Sequence, residues 1–140
     1  MTVLQDEVIT EFRANAGVVT EALGGHFKNV HLLLLHHTGR RSGNEYVTPL
    51  LYVEDGDRYV LLGSHGGNQK EPLWVANVTN MSEVVIEVGK RTVRAAPEVL
   101  RVGQEWDRLY AACVAYWPDV LEYQKQTDRK FPLVILTPAM

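Results

Sequence analysis

Apolar residues recur along the first part of the chain at intervals of three and four: Leu4, Val8, Phe12, Ala16, Val19 and Leu23. That period puts them on one face of a helix, and Gly24-Gly25 offers its C-cap. The pattern then changes. Val30 to His36 is a compact apolar run of strand length, followed by the turn chemistry of Thr38-Gly39-Arg40-Arg41-Ser42-Gly43-Asn44. Tyr46 to Val53 predicts a second strand, in which Pro49 requires an edge or a bulge because proline cannot donate to a ladder. Asp55-Gly56 signals a hairpin into a strand over Arg58 to Leu62. A polar, glycine-rich stretch, Gly63-Ser64-His65-Gly66-Gly67-Asn68, leads to a short helix over Glu71 to Asn77, with Pro72 early in it. Val84 to Val88 and Arg91 to Ala95 predict another hairpin around Gly89-Lys90. Trp106, Leu109, Cys113 and Trp117 mark a second amphipathic helix, and Pro132 to Thr137 a closing strand.

Hairpin-connected strands with helices at the ends predict an antiparallel sheet of the α+β class. Five or six strands in so short a chain predict closure into a small barrel, which removes exposed edges. Strand–helix–strand alternation is missing, which argues against a doubly wound nucleotide fold. Residues 1–140 read as a single domain.

Composition narrows the function classes. Hydrophobic residues make up 46% and charged residues 22%, enough for a core without staples. The lone cysteine, Cys113, excludes an internal disulfide and any multi-cysteine metal site. A net charge of −3 is a poor footprint for nucleic acid. The start of the chain is acidic, without the basic region of a secretory signal, and no apolar run approaches a membrane span. The expectation is a cytoplasmic protein with reduced thiols. The N-terminal helix either packs on the barrel or touches a membrane surface, and Glu7, Glu11 and Glu21 oppose contact with anionic lipid.

Candidate chemistry is sparse. His36 and His37 point to opposite faces of a strand, and His31 lies roughly 20 Å from His37 along it, so the three form no metal site and read as rim or surface residues. Cys113 falls on an apolar helix stripe, where an inert thiol is the default. No nucleophile elbow, dinucleotide fingerprint or P-loop occurs. Two loops remain. The Thr38–Gly43 loop carries two guanidinium groups and a hydroxyl, which match phosphate or carboxylate geometry. The Gly63–Gly67 loop lets backbone approach a flat ligand, and Trp74 follows just downstream. Alone, each reads as an ordinary turn or connection; together they favour a site for a flat anionic ligand.

These residues also resemble a known family. The run Leu32–Gly43, then Thr48-Pro49-Leu50-Leu51-Tyr52, Asp55–Tyr59, Ser64-His65-Gly66-Gly67, Pro72-Leu73-Trp74, Asn77, Val88–Ala95, Tyr123-Gln124 and Phe131–Val134 is similar to the deazaflavin-dependent nitroreductase family. The resemblance runs from the Phe12-Arg13-Ala14-Asn15 helix over nearly the whole chain, and the ordered set of motifs carries it. It implies a split β-barrel of the flavin-reductase-like kind and coenzyme F-420 as cofactor. It also implies that Arg40, Arg41, Ser42 and Gly43 grip the cofactor's phosphate and acidic tail. Val47, Thr48, Pro49, Leu50 and Leu51 would line the ring site. Gly63, Ser64, His65 and Gly66 would supply backbone and hydroxyl contacts, and Leu73, Trp74, Val75 and Asn77 would close the groove. Tyr116, Trp117, Val120 and Tyr123 would form the substrate wall. Tyr46 stands where family members often carry a basic residue, and His65 where lysine is common, which implies a weaker hold on the phosphate. Val120 stands where a tyrosine is common.

The implied chemistry is hydride transfer from the reduced deazaflavin to a small electron acceptor: a nitroaromatic, a quinone or an unsaturated carbonyl. Ser64 and Tyr123 are the candidates to donate a hydrogen bond or proton to the acceptor. No acid–base dyad and no metal are required. Two rivals share the barrel: an FMN-dependent reductase, whose phosphate also suits the arginines, and a non-catalytic carrier of deazaflavin or a lipid-like ligand. Split barrels often pair through sheet faces, so a homodimer is expected.

Overall fold

A computed structural model of the chain describes residues 3–22, 30–64 and 67–139. The order is α1 (Val3–Ala14), β1 (Leu32–Thr38), β2 (Glu45–Asp55), β3 (Arg58–Leu62), α2 (Leu73–Thr79), β4 (Val84–Val88), β5 (Arg91–Leu100), α3 (Gln104–Tyr116), α4 (Asp119–Gln124) and β6 (Leu133–Pro138). All strand pairings are antiparallel, and the strands close into a barrel in the order β1-β2-β3-β6-β5-β4. The antiparallel α+β barrel expected from the hairpin pattern, and implied to be a split barrel by the resemblance, is what the chain forms.

Alternation along β1 sorts the core. Leu33 and Leu35 point into the barrel with Leu61, Val75, Ile86, Val134 and Leu136. Leu32 and Leu34 face outward and pack under α1, against Val8, Ile9, Phe12, Val19 and Ala22. Val8, Ile9 and Phe12 of the α1 stripe thus pack on the barrel. On the opposite side, α3 covers Val60, Leu133 and Ile135 with Trp106, Leu109 and Cys113. Its polar face is tied to the β2–β3 hairpin by Arg108, which binds Asp55 at 3.0 Å, and by Arg58, which pairs with Asp55 and Glu105. Among the described residues, no helix is long and apolar enough to cross a membrane.

Two elements depart from the sequence pattern. The first helix ends at Ala14 rather than near Leu23, and residues 23–29, with the expected Gly24-Gly25 cap, lie outside the described residues. The Gly17 N–H bonds the Phe12 carbonyl at 2.8 Å while Ala16 takes φ 56°, the geometry of a helix closed by a left-handed residue. Glu11 then accepts the backbone N–H groups of Thr20, Glu21 and Ala22, so the chain turns back under its own helix. Periodicity continued because Val19 packs on the same cluster from outside the helix. The second departure is α4, a single turn opened by Pro118, too short for a period to reveal.

Pro49 behaves as an edge proline. It pairs with Leu34 of β1, but β2 pairs with β3 only from Tyr52 to Asp55. The flank of β2 from Glu45 to Leu51 therefore has no partner in β3, and this stretch is the split in the barrel wall.

Candidate active site

The split sets the layout. At its head, β1 gives way to the Thr38–Asn44 turn, closed by Gly39 N–H to the Asn44 carbonyl at 2.8 Å and Gly43 N–H to the Gly39 carbonyl at 2.9 Å. The Ser42 hydroxyl accepts the Asn44 N–H at 3.1 Å and so shapes the turn. At its foot, β3 ends one residue past the Tyr52–Leu61 pair, and Gly63 and Ser64 lead away. Head and foot are separated by roughly 17 Å, given the rise of a strand between Tyr46 and Leu51.

A cleft of about 500 Å³ opens at the head, lined by Thr38, Gly39, Arg40, Arg41, Asn77, Asn80 and Met81. Arg40 and Arg41 are exposed. Every other arginine of the chain is hydrogen-bonded to a carboxylate, a tyrosine hydroxyl or a backbone carbonyl, or, for Arg94, ion-paired with Glu83. Arg40 and Arg41 have no such partner among the described residues. Two adjacent, uncommitted guanidinium groups at the mouth of a cleft are an anion-binding arrangement.

Behind them runs a buried relay. The Arg40 N–H donates to Oδ1 of Asn77 at 3.1 Å, and Nδ2 of Asn77 lies 2.9 Å from Nδ1 of His37. Nε2 of His37 lies 2.8 Å from the Thr48 hydroxyl. The backbone donor at one end fixes the sense of the whole chain: Asn77 donates to Nδ1, so His37 carries its proton on Nε2 and donates to Thr48. The Thr48 oxygen is thereby an acceptor inside the protein and keeps its own proton to donate. Burial, with His36 adding repulsion, pushes the His37 imidazole down to about 4, so it is neutral at physiological pH. The Tyr46 ring stacks on it at 5.5 Å.

His37 was read as a rim residue; it is buried, and His31 alone of the two on that strand face is exposed. The reason is α2, whose Asn77 covers the end of β1. Nothing in the local sequence links positions so far apart, although His37 shares the inward parity of Leu33 and Leu35. His36, on the other face, meets Glu87 at 2.6 Å beside Arg13.

The expected ring-site residues divide by strand face. Tyr46, Thr48 and Leu50 lie on the side of His37 and the barrel core, whereas Val47 and Leu51 pack toward α1. On α2, Trp74 and Val75 are buried in the barrel core and Asn77 joins the relay, while Leu73 is 80% exposed. His65 and Gly66 lie outside the described residues.

At the foot, the C-terminal elements meet the Gly63–Gly67 loop. The Trp117 indole donates to the Tyr123 hydroxyl at 3.3 Å, and the His31 N–H donates to the Tyr116 hydroxyl at 2.8 Å. Both phenols accept within the protein and retain a proton. Val120 is 2% exposed and belongs to the packing of α4, not to an open wall. Gly67, at φ 85°, abuts α4 so closely that a Cβ there would stand 2.5 Å from the Tyr123 carbonyl oxygen. The loop is further tied down by Arg129, which the sequence reading did not single out. Cys113 is buried, with its thiol pushed up to about 11, consistent with an inert core residue.

Comparison with known proteins identifies the family and the fold. The family described as F420H(2)-dependent quinone reductase matches residues 8–138. An F420H(2)-dependent quinone reductase of Mycobacterium tuberculosis is 35% identical over 114 residues, 75% of this chain and 72% of its own. Among solved structures, an F420-H2 dependent reductase superposes with a TM-score of 0.67 at 31% identity, covering 75% of this chain and 92% of its own. A domain-swapped dimer superposes with a TM-score of 0.70 at 29% identity, covering 91% and 93%. The family match spans nearly the whole barrel with its flanking helices, and the chain belongs to the F420H(2)-dependent quinone reductase family.

Proposed function

We propose that this protein binds reduced coenzyme F-420 along the split of its barrel and reduces quinone-type acceptors there. The observation that carries the reading is the uncommitted Arg40–Arg41 pair at the head of a cleft, backed by the Asn77–His37–Thr48 relay.

The donor set suits the cofactor. Its phosphate and acidic tail call for cations, which Arg40 and Arg41 offer in a solvent-open position where a long tail can trail away. Its ring edge calls for fixed hydrogen-bond donors. Thr48 has one, oriented by His37, and Ser64 has another at the foot of the split. The bound reduced deazaflavin supplies a hydride; the chain supplies position, donors and exclusion of water.

Roles follow for individual residues. Asn77 anchors the Arg40 backbone, so the arginine turn and the Thr48 donor are held in one register. Tyr46 stacks on His37 and covers the relay from solvent. Tyr123 is the candidate proton donor to a reduced acceptor, because its oxygen already accepts the Trp117 N–H and its own O–H is left to donate. Nitroaromatics and unsaturated carbonyls are further acceptors of the same class. The solved relative that forms a domain-swapped dimer supports a homodimer for this chain, which light scattering of the purified protein tests directly.

The deciding experiment is a fluorescence titration with coenzyme F-420 and, separately, FMN, followed by oxidation of the reduced deazaflavin with menadione as acceptor. Saturable F-420 binding with quinone-dependent oxidation is the expected result. Preference for FMN would reassign the cofactor. Tight F-420 binding with no acceptor reduced would make the chain a carrier.

A further inference from the structure

Arg129 lies between α4 and β6, in a segment that the family reading did not use. Its guanidinium donates to the Gly63 carbonyl at 3.1 Å, the Ser64 carbonyl at 2.9 Å and the Asn68 carbonyl at 3.2 and 2.9 Å. The Phe131 ring lies 4.9 Å beneath it. Its own backbone is fixed as well: the N–H donates to Thr127 Oγ1 at 3.1 Å, and the carbonyl accepts Gln124 Nε2 at 2.8 Å. Thr127 is buried, so this anchor belongs to the core.

The pairing is unusual for a partly exposed arginine. It bonds no carboxylate among the described residues; the nearby Glu71 is already paired with Arg101 at 2.6 Å. The whole fork is spent on one loop. Planar, multi-donor geometry is what arginine offers and lysine lacks.

Peptide geometry gives the consequence. In a trans peptide the carbonyl and the following N–H point in opposite directions, and none of the described peptides is cis. With the Gly63 carbonyl held by Arg129, the Ser64 N–H is turned away from the guanidinium. Among the described residues that N–H has no acceptor. On the other flank the loop cannot retreat, because Gly67 is seated on the Tyr123 carbonyl and its N–H bonds the Ser64 carbonyl at 2.9 Å.

We propose that Arg129 is a positioning residue: it sets the Gly63–Ser64 peptide so that the Ser64 N–H faces the split as a fixed donor to the cofactor ring or acceptor carbonyl. Its charge, behind the same peptide, strengthens that donor. This role rests on the proposed cofactor site.

The test compares Arg129→Lys and Arg129→Ala with the wild-type protein. Amide hydrogen exchange over residues 60–72, without ligand, reads the loop itself. Fluorescence titration with coenzyme F-420 reads the site. Exchange in that segment is expected to accelerate in both variants while the barrel strands stay protected. Affinity for F-420 is expected to fall about tenfold in Arg129→Lys and further in Arg129→Ala, in keeping with lost charge-assisted hydrogen bonds. Added methylguanidinium is expected to restore part of the protection and affinity in Arg129→Ala, and to do nothing for Arg129→Lys. Should the alanine variant fail to fold, the lysine variant decides on the same two readouts. Unchanged exchange, or accelerated exchange with wild-type affinity, overturns the proposal. If the wild-type protein itself does not bind F-420, the cofactor reading falls, and the proposed role of Arg129 falls with it.

Discussion

Asn77 donates to Nδ1 of His37 across 2.9 Å, and this one contact decides which imidazole nitrogen keeps its proton. Burial, with repulsion from His36, keeps this histidine neutral and so couples stability to pH. Its folded value near 4 lies below the ordinary value of about 6.5. Between those two pH values the unfolded chain takes up a proton that the folded chain excludes. The stabilisation is therefore complete above about pH 6.5 and is lost as pH falls toward 4, by up to about 3 kcal/mol. His37→Gln retains one acceptor and one donor but does not titrate. Urea unfolding of the two proteins should agree within about 1 kcal/mol near neutral pH, and the variant should lose less stability on acidification. Parallel pH dependence would show that His37 does not carry the effect.

The arginine turn makes a different prediction, because the Arg40 and Arg41 guanidinium groups have no partner among the described residues. Replacing either by alanine should leave the melting temperature unchanged. Coenzyme F-420 affinity should fall roughly tenfold or more per arginine, the range for hydrogen bonds to a charged group. The wild-type affinity should also weaken with added salt, less steeply in the double variant. Arg108→Ala is the informative control. It removes the bonds to Asp55 that tie α3 to the hairpin, together with a bond to Glu105 within the helix, so it should lower the melting temperature while sparing affinity. An affinity loss as large in Arg108→Ala as in Arg40→Ala would place the turn outside the site.

The barrel was legible in the sequence because hairpin turns are local: Asp55-Gly56 and Gly89-Lys90 fix register within a few positions. The arginine turn was legible because charge on a glycine-rich loop needs no tertiary partner to be noticed. His37 was not, since its burial depends on an asparagine 40 positions away. Arg129 was missed for a related reason: its acceptors are backbone carbonyls, which carry no side-chain signature. Val47 and Leu51 were assigned to the groove as part of a contiguous run, but strand alternation turns them to the other face.

Cys113 offers a simple check on the core beneath α3. The thiol is 3% exposed and burial pushes it up to about 11, so the thiolate is scarce at neutral or mildly alkaline pH. A disulfide reagent such as Ellman's should titrate no thiol in the native protein and should titrate it fully in denaturant. Fast labelling of the folded protein would mean that α3 does not lie on Val60, Leu133 and Ile135 as described.

The end of α1 supplies two neighbouring substitutions of opposite sign. Ala16 closes the helix at φ 56°, where its Cβ crowds the backbone; a left-handed non-glycine residue costs roughly 1–2 kcal/mol. Ala16→Gly relieves that crowding, and the gain is reduced by the greater freedom of glycine in the unfolded chain. A net stabilisation of about 0.5–1 kcal/mol should raise the melting temperature by a few degrees. Gly17 differs in both respects. It sits at φ 92°, and a Cβ there would stand 2.8 Å from the Cα of Gly89, in the tight turn between β4 and β5. Neither backbone can yield without unseating α1 from the barrel, so Gly17→Ala should destabilise by more than about 1 kcal/mol. Thermal unfolding of the two variants measures both signs. A loss of stability in Ala16→Gly, or a gain in Gly17→Ala, would mean that the helix does not end at Ala14 in solution and that the longer helix suggested by the periodicity is the one formed.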